Sequence, residues 1–447
     1  MANFGNPPRR WNRLSIKFLA RMQSLRRYSL YILVLLTLLG YYLLAQVERS
    51  DVLMLIGLFS LLFIGYIGLL KLKTTHLGWI LIGLCFRFTF IGYTPLLSQD
   101  YFRFIWDGSL LSHGINPYLY LPNELIKIFS EWEYLHSGMG PMSAGHYTNY
   151  PMINQLLFAL GVLSTKPILT YRLLLILADI VTFKLLTKLS SQTWGLTYWL
   201  SPLVILEGVG NLHFEPVMVA LLMLGLYHFK QGKHLRSSVA LATSVLLKLI
   251  PLMFAPLLLK VVKQGQLKIM VFGFVITLAL FATPFLDPWF FSTYSESVGL
   301  WFSNFEFNAG IYRVVKELGA LFGVQDWQMI RFYGKAHSLV ILVLALKFTW
   351  ECDRFSKVLD KSYLLLLIYL LTAPTIHPWY LITLIALGAI SKHPSATLWS
   401  LTIILSYIAY KMNPIELPLW LVALQFIPVV MSLINSSFRS FLEKKLL

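Results

Sequence analysis

Charge is scarce in this chain of 447 residues: Asp, Glu, Lys and Arg make up 13 % of it, against 57 % hydrophobic residues and a mean hydropathy of +0.67. A soluble globular protein carries roughly a quarter charged residues and less than half apolar ones. Folded in water, this composition would leave wide apolar patches exposed, which excludes a soluble enzyme, a nucleic-acid module and a disordered chain. Cysteine is nearly absent. Cys85 lies in an apolar run and Cys352 in a charged stretch, so neither a disulfide nor a CxxC-type redox or zinc motif is expected. Acidic residues are also few, 20 against 37 Lys and Arg, which leaves a formal net charge of +17. In a multi-span membrane protein such an excess follows from retention of basic residues in cytoplasmic loops and says little about partners.

What the chain does have is a succession of apolar runs. The clear ones cover 28–46, 52–71, 77–97, 168–187, 216–229, 268–286, 338–350, 363–376, 396–411 and 417–433, with shorter ones at 196–206, 239–249, 252–262 and 379–390. The expected architecture is all-α and polytopic, with about 11–14 membrane spans and external juxtamembrane helices. Five regions follow: 1–97, a basic N-terminus with three spans; 98–165, an external loop; 166–286, central helices; 287–333, a second external loop; and 334–447, C-terminal helices.

Charge assigns the sides. Arg9, Arg10, Arg13, Lys17, Arg21, Arg26 and Arg27 precede the first run without an acidic residue, which reads as a retained cytoplasmic N-terminus. The third run then exits, so 98–150 is external. That loop holds Asp100, Asp107, Glu124, Glu131 and Glu133 against Arg103 and Lys127. Keeping Lys184, Lys188, the 230–236 cluster, Lys260, Lys263, Arg354 and Lys357 cytoplasmic requires that 151–163 does not cross. It also requires two short spans meeting near Lys248 and Pro251. Both termini are then cytoplasmic, and the expected location is the cell (inner) membrane.

On the external side several polar clusters gather at span mouths: residues 99–103, 106–108, 113–118, 147–151, Glu207 to Glu215, 304–312 and 377–380. The string DYFRFIWDGSLLSHGINPY, followed by YTNYPMINQ, resembles the signature of GT-C glycosyltransferases, in particular the polyprenyl-phosphate-sugar mannosyltransferase-like (glycosyltransferase 87-like) group. LLKLIPLMFAPLLL, NAGIY and HPWY fit the same pattern, and the resemblance runs from about Leu77 to Ile390. The first two spans look like an added N-terminal hairpin. Residues 210–215, GNLHFE, depart from the patterns of relatives.

That resemblance implies a GT-C fold and transfer of a hexose, mannose first, from a polyprenyl phosphate to an acceptor hydroxyl on the external, periplasmic side, with inversion. The partners are a lipid-linked sugar donor and a lipid or glycan acceptor, with no nucleic acid. Such a displacement needs one base for the acceptor proton and a cation for the departing phosphate, whose weak basicity removes the need for an acid. Asp100, at the membrane–loop junction, is the candidate base, and Asp107 its rival; Asp107-Gly108 also reads as a turn or a sugar contact.

Arg103, Lys248, His377 and Arg313 are candidates for the phosphate. Lys248 between two apolar segments reads either as functional or as snorkelling to the headgroups, His377 as a ligand or an interfacial hydrogen-bonder, and Arg103 as a phosphate ligand or a partner of Asp100. Sugar or acceptor contacts fall to Asp107, Asn116, Tyr118, Asn149, Tyr150, Glu207, His213 and Tyr380. Arg172 and Asp179, seven positions apart, read as a structural intramembrane pair.

No cofactor is expected, and no metal: there is no DxD, and His113, His136, His146 and His213 lack ligand spacing. Trp289, Phe290, Phe291, Tyr294, Trp301, Phe302 and Phe305 form an aromatic external segment suited to the bilayer surface or a groove. An O-antigen-type ligase or polymerase acting on lipid-diphosphate glycans would favour more Arg in the first loop. A transporter would show paired inverted repeats, and none is visible.

Overall fold

The computed structural model describes residues 28–446, and the basic stretch ahead of Tyr28 lies outside them. Among the described residues the chain is helical throughout, and the only extended pairing is one isolated parallel bridge between Phe307 and Thr375. The all-α polytopic architecture is as expected. Val52–Leu70 shows why: its 19 residues carry no charge, and at about 1.5 Å per residue the helix nearly matches the hydrocarbon thickness of a bilayer.

Among the described residues three helices are long and apolar enough to cross alone: Val52–Leu70, Gln264–Phe285 and Asp326–Glu351. Two further bent pairs qualify together, Val204–Gly210 with Glu215–Lys230 at 112° and Leu419–Ile434 with Ser436–Lys444 at 104°. The remaining apolar runs form shorter helices, including Tyr28–Leu44, His76–Phe88, Ile250–Leu259 and Pro378–Ser391. Broken helices at membrane depth are tolerated where protein surrounds the interruption. The 338–350 run is the second half of Asp326–Glu351, so the expected loop 287–333 ends inside a helix. It also contains Phe290–Ser303 and Ile311–Leu321. In its aromatic stretch Phe290 is buried while Trp289 and Phe291 face outward; the side chains of Trp301 and Phe302 lie outside the described set.

Met152–Val162 has 11 residues, too few to cross, and lies against Asp100–Ser112. Gly108 permits the contact, since a Cβ there would stand 2.5 Å from the Phe158 carbonyl carbon and oxygen. Asp107-Gly108 is therefore helix interior, and the turn reading of that pair is corrected by close helix packing. Lys248 falls between His234–Val245 and the 3₁₀ turn Ile250–Phe254, where Pro251 cannot donate to a continuing helix.

The expected Arg172–Asp179 pair does not form. Asp179 binds Arg87 instead, Nε to Oδ2 at 2.8 Å with both side chains fully buried, and accepts a second bond from the Tyr198 hydroxyl at 2.7 Å. The Arg87 guanidinium also donates to the carbonyls of Gly83 and Trp199 and sits 3.9 Å above the Trp199 ring. This network ties His76–Phe88, Pro167–Leu189 and Gln192–Trp199 together. Gly83 makes room for the indole: a Cβ there would approach Trp199 Nε1 to 2.2 Å.

Removing one partner of a buried ion pair leaves an uncompensated charge. Arg87→Met is expected to destabilise the protein by about 3–5 kcal/mol, and Arg87→Met with Asp179→Leu to recover most of the loss. Thermal unfolding in detergent reads both; a double variant no more stable than the single one would contradict this account.

Candidate active site

Asp100 opens the Asp100–Ser112 helix, its own N–H held by the Ser98 hydroxyl at 3.3 Å. Its side chain keeps 35 % exposure. The surrounding protein still raises its pKa above the ordinary carboxylate value, chiefly by desolvation, with the neighbouring His213 acting in the opposite direction.

The partners of Asp100 come from a break in the chain. Val204–Gly210 is a π-helical turn, a form often found at functional sites. It runs through Asn211 into Leu212, which adopts φ +63°, a left-handed conformation costly for a branched apolar residue. Pro216 then starts Glu215–Lys230. Arg172 supports the break, donating to the carbonyls of Val209 at 3.1 Å and Gly210 at 3.2 Å and to that of Tyr93. The result places Glu207, His213 and Glu215 around one point. His213 Nδ1 lies 2.9 Å from the Glu207 carbonyl; a carbonyl only accepts, so Nδ1 carries the hydrogen. Nε2 then stands 3.7 Å from the Asp100 carboxylate.

Three rings stack behind this imidazole. His213 lies on Trp379 at 3.7 Å between centroids, Trp379 on His377 at 4.3 Å, and His377 on Phe307 at 4.7 Å. Lys248 binds Glu215 and projects its ammonium 4.2 Å from the Tyr380 ring centre.

The carboxylates of these polar clusters differ in what they accept. Glu207 takes hydrogen bonds from Asn211 at 3.0 Å and Tyr407 at 2.9 Å, and Glu215 takes Lys248. Asp107 takes Arg103 at 2.7 Å and Gln155 at 3.2 Å. Among the described residues no donor is hydrogen-bonded to the side chain of Asp100.

Of the residues singled out from sequence, the structure gathers Asp100, Glu207, His213, Lys248, His377 and Tyr380 into this group. Arg103 is not among them: buried on the same helix as Asp107, four residues away, it also donates to the carbonyls of Ser143 and His146. Arg313 is held elsewhere, with Glu306, Glu317 and Glu416. Asn116 and Tyr118 clamp the loop, Asn116 donating to the Phe285 carbonyl at 3.0 Å and Tyr118 to that of Tyr150 at 2.7 Å. Tyr150 packs edge-on against Phe104 and Phe158, and Asn149 precedes it half-buried. Sequence reasoning missed Arg49, whose guanidinium lies 4.5 Å from the Tyr410 ring centre and whose charge acts on Asp100. A signal was available, since the topology read from charge puts Arg49 in a short external loop, against the usual distribution of charge.

Comparison with known families then adds a second line of support. Residues 32–264 match the family described as alpha-(1->6)-mannopyranosyltransferase, N-terminal domain, the MptA_B family. That is just over half of the chain. The chain belongs to this family. It is accordingly a membrane protein with mannosyltransferase activity, in keeping with the GT-C mannosyltransferase-like resemblance. The match takes in the first two apolar helices, so the hairpin read as an addition is part of the family's domain; Arg49 lies within it. No curated protein and no solved structure matches the chain.

The two aspartates of the first loop are expected to separate in stability measurements. Arg103→Leu strands Asp107 as a buried charge and should cost about 3–5 kcal/mol. Asp100→Asn removes no hydrogen-bond acceptor in use and should leave the detergent melting temperature near wild type. Equal destabilisation by both would refute the distinction.

Proposed function

We propose that this mannosyltransferase moves mannose from a polyprenyl phosphate to an acceptor hydroxyl on the external face of the cell membrane, with Asp100 as the base. The observation that carries the reading is that Asp100, alone among the four carboxylates of the polar clusters just compared, has no donor hydrogen-bonded to its oxygens among the described residues. A carboxylate saturated by donors is a poor proton acceptor; one that is desolvated and unengaged is a good one.

In the reaction the acceptor oxygen attacks C1 of the mannosyl group while its proton passes to Asp100. The bond from C1 to the phosphate oxygen breaks, and the polyprenyl phosphate leaves with the electron pair. Inversion at C1 turns a β-linked donor into the α-linked product that the family's description names. Lys248, with Arg49 beyond it, supplies the positive charge that the departing phosphate needs, and no metal is required in this reading. His213 positions Asp100 and is itself fixed by Glu207 and the face of Trp379. Glu207 and Tyr380 are left for sugar and acceptor hydroxyls.

Purified protein in nanodiscs, given radiolabelled polyprenyl-phosphate mannose and a host lipid extract, tests the assignment. Asp100→Asn should slow transfer by about 10²–10⁴-fold; transfer at the wild-type rate would remove Asp100 from the role.

The pH profile provides an independent check. The base works only when ionised, so the rate falls as pH drops through the pKa of Asp100. Because that pKa is raised, the acid limb should lie above the ordinary aspartate value of about 3.9. His213 lowers the pKa of Asp100, so His213→Gln should move the limb to higher pH; a shift downward would contradict the arrangement.

A further inference from the structure

A second polar cleft lies in the 287–333 region and takes no part in the chemistry above. Its volume is about 330 Å³, and it is lined by Asn304, Glu306, Tyr312, Asp326, Trp327, Ile330 and Arg331. That size falls at the lower end of small-molecule sites, about 300–1,000 Å³. The floor is packed: Tyr312, Ala309 and Ile330 cluster with Met329 and Tyr333.

Three features of the lining point to a ligand. Tyr312 is fully buried, yet its hydroxyl has no hydrogen-bond partner among the described residues. Trp327, at the start of Asp326–Glu351, leaves 58 % of its surface exposed beside the cleft, with the Arg331 guanidinium 5.5 Å from its ring centre. Asp326 forms no side-chain hydrogen bond or ion pair among the described residues, while Glu306 is oriented by Lys316 at 2.8 Å.

Together these groups favour one chemistry. With Glu306 paired to Lys316, Asp326 and the Arg331 guanidinium leave the lining near neutral, which suits an uncharged ligand, and the charged groups disfavour an acyl chain. A flat indole with carboxylates and a buried hydroxyl suits a pyranose ring, whose C–H face packs on an aromatic and whose hydroxyls donate to carboxylates.

The cleft is physically joined to the candidate active site. Glu306 lines it, and its neighbours Phe305 and Phe307 both stack on His377, the ring behind Trp379 and His213. Backbone bonds from Phe307 N–H to the Pro374 carbonyl and from Ile376 N–H to the Phe307 carbonyl, at 3.1 and 2.8 Å, fix the segment.

We propose that this cleft is a saccharide subsite that holds an oligomannoside acceptor at sugar units remote from the reacting hydroxyl. The saccharide class rests on the lining itself; the mannoside identity rests on the function proposed above, with a mannosylated product of one transfer serving as acceptor for the next.

The test is isothermal titration calorimetry of the full-length protein in nanodiscs with α-(1→6)-linked mannotriose, and with maltotriose as a control of equal size. Wild type should bind mannotriose more tightly than maltotriose. Trp327→Ala and Asp326→Asn should each weaken mannotriose by about tenfold, and Trp327→Phe, which keeps a stacking face, should stay within about threefold of wild type. Unchanged melting temperatures exclude misfolding as the cause.

Wild-type binding that survives Trp327→Ala and Asp326→Asn, or no binding at all, overturns the subsite; equal affinity for maltotriose overturns the mannoside assignment. Asp100→Asn separates the two proposals. It should bind mannotriose as wild type does while losing transfer. If it transfers normally while the cleft variants lose binding, the base assignment fails and the subsite stands. If it loses transfer while wild type binds no mannotriose, the subsite fails and the base stands.

Discussion

A helix broken where the protein buries it must find partners for the backbone groups that it frees, because neither water nor lipid supplies them there. Here Arg172 meets that requirement. Its guanidinium takes the carbonyls that end the π-helical turn, Val209 and Gly210, together with that of Tyr93. With those groups satisfied, the chain tolerates a left-handed Leu212 and a 112° bend before Pro216. Glu207, His213 and Glu215 owe their convergence to this bend, since a straight helix would spread them over two turns and more than one face. Arg87 plays the same kind of part for the helices around it, through Asp179 and the Trp199 ring.

The candidate site is organised by a division of labour among charges. In a chain with few ionisable residues, most buried ones are paired, Arg87 with Asp179, Arg103 with Asp107 and Glu215 with Lys248, and Arg172 is held by carbonyls. A buried charge is tolerated only when paired and hydrogen-bonded. Against that background the carboxylate of Asp100, facing His213 across 3.7 Å, stands out. The stacked rings from Phe307 to His213 extend the order outward, so the 287–333 segment and the candidate site share one wall.

Much of this was legible in the sequence. The apolar runs, the basic and acidic loops and the string from Asp100 to Tyr118 led to an all-α membrane glycosyltransferase of mannosyltransferase-like type, and the family match agrees. Asp100, His213, Lys248 and Tyr380 were selected because they are polar residues at the ends of apolar runs, and the structure brings them together. Pairing was not legible. Seven-residue spacing suggested Arg172 with Asp179, but spacing along one helix cannot weigh an arginine from another helix, and Arg87 wins that contact. Arg103 likewise turns to Asp107 on its own helix face, and Arg313 to three glutamates.

The scarcity of charge by itself determined that the chain lives in a membrane and that few residues were available for chemistry, because composition fixes solvent preference before any fold forms. Which carboxylate is left without a donor, which arginine carries structure, and where a saccharide-sized cleft opens were decided only by the tertiary structure. Those properties depend on distances between helices remote in sequence, and a local pattern of residue types holds no record of them.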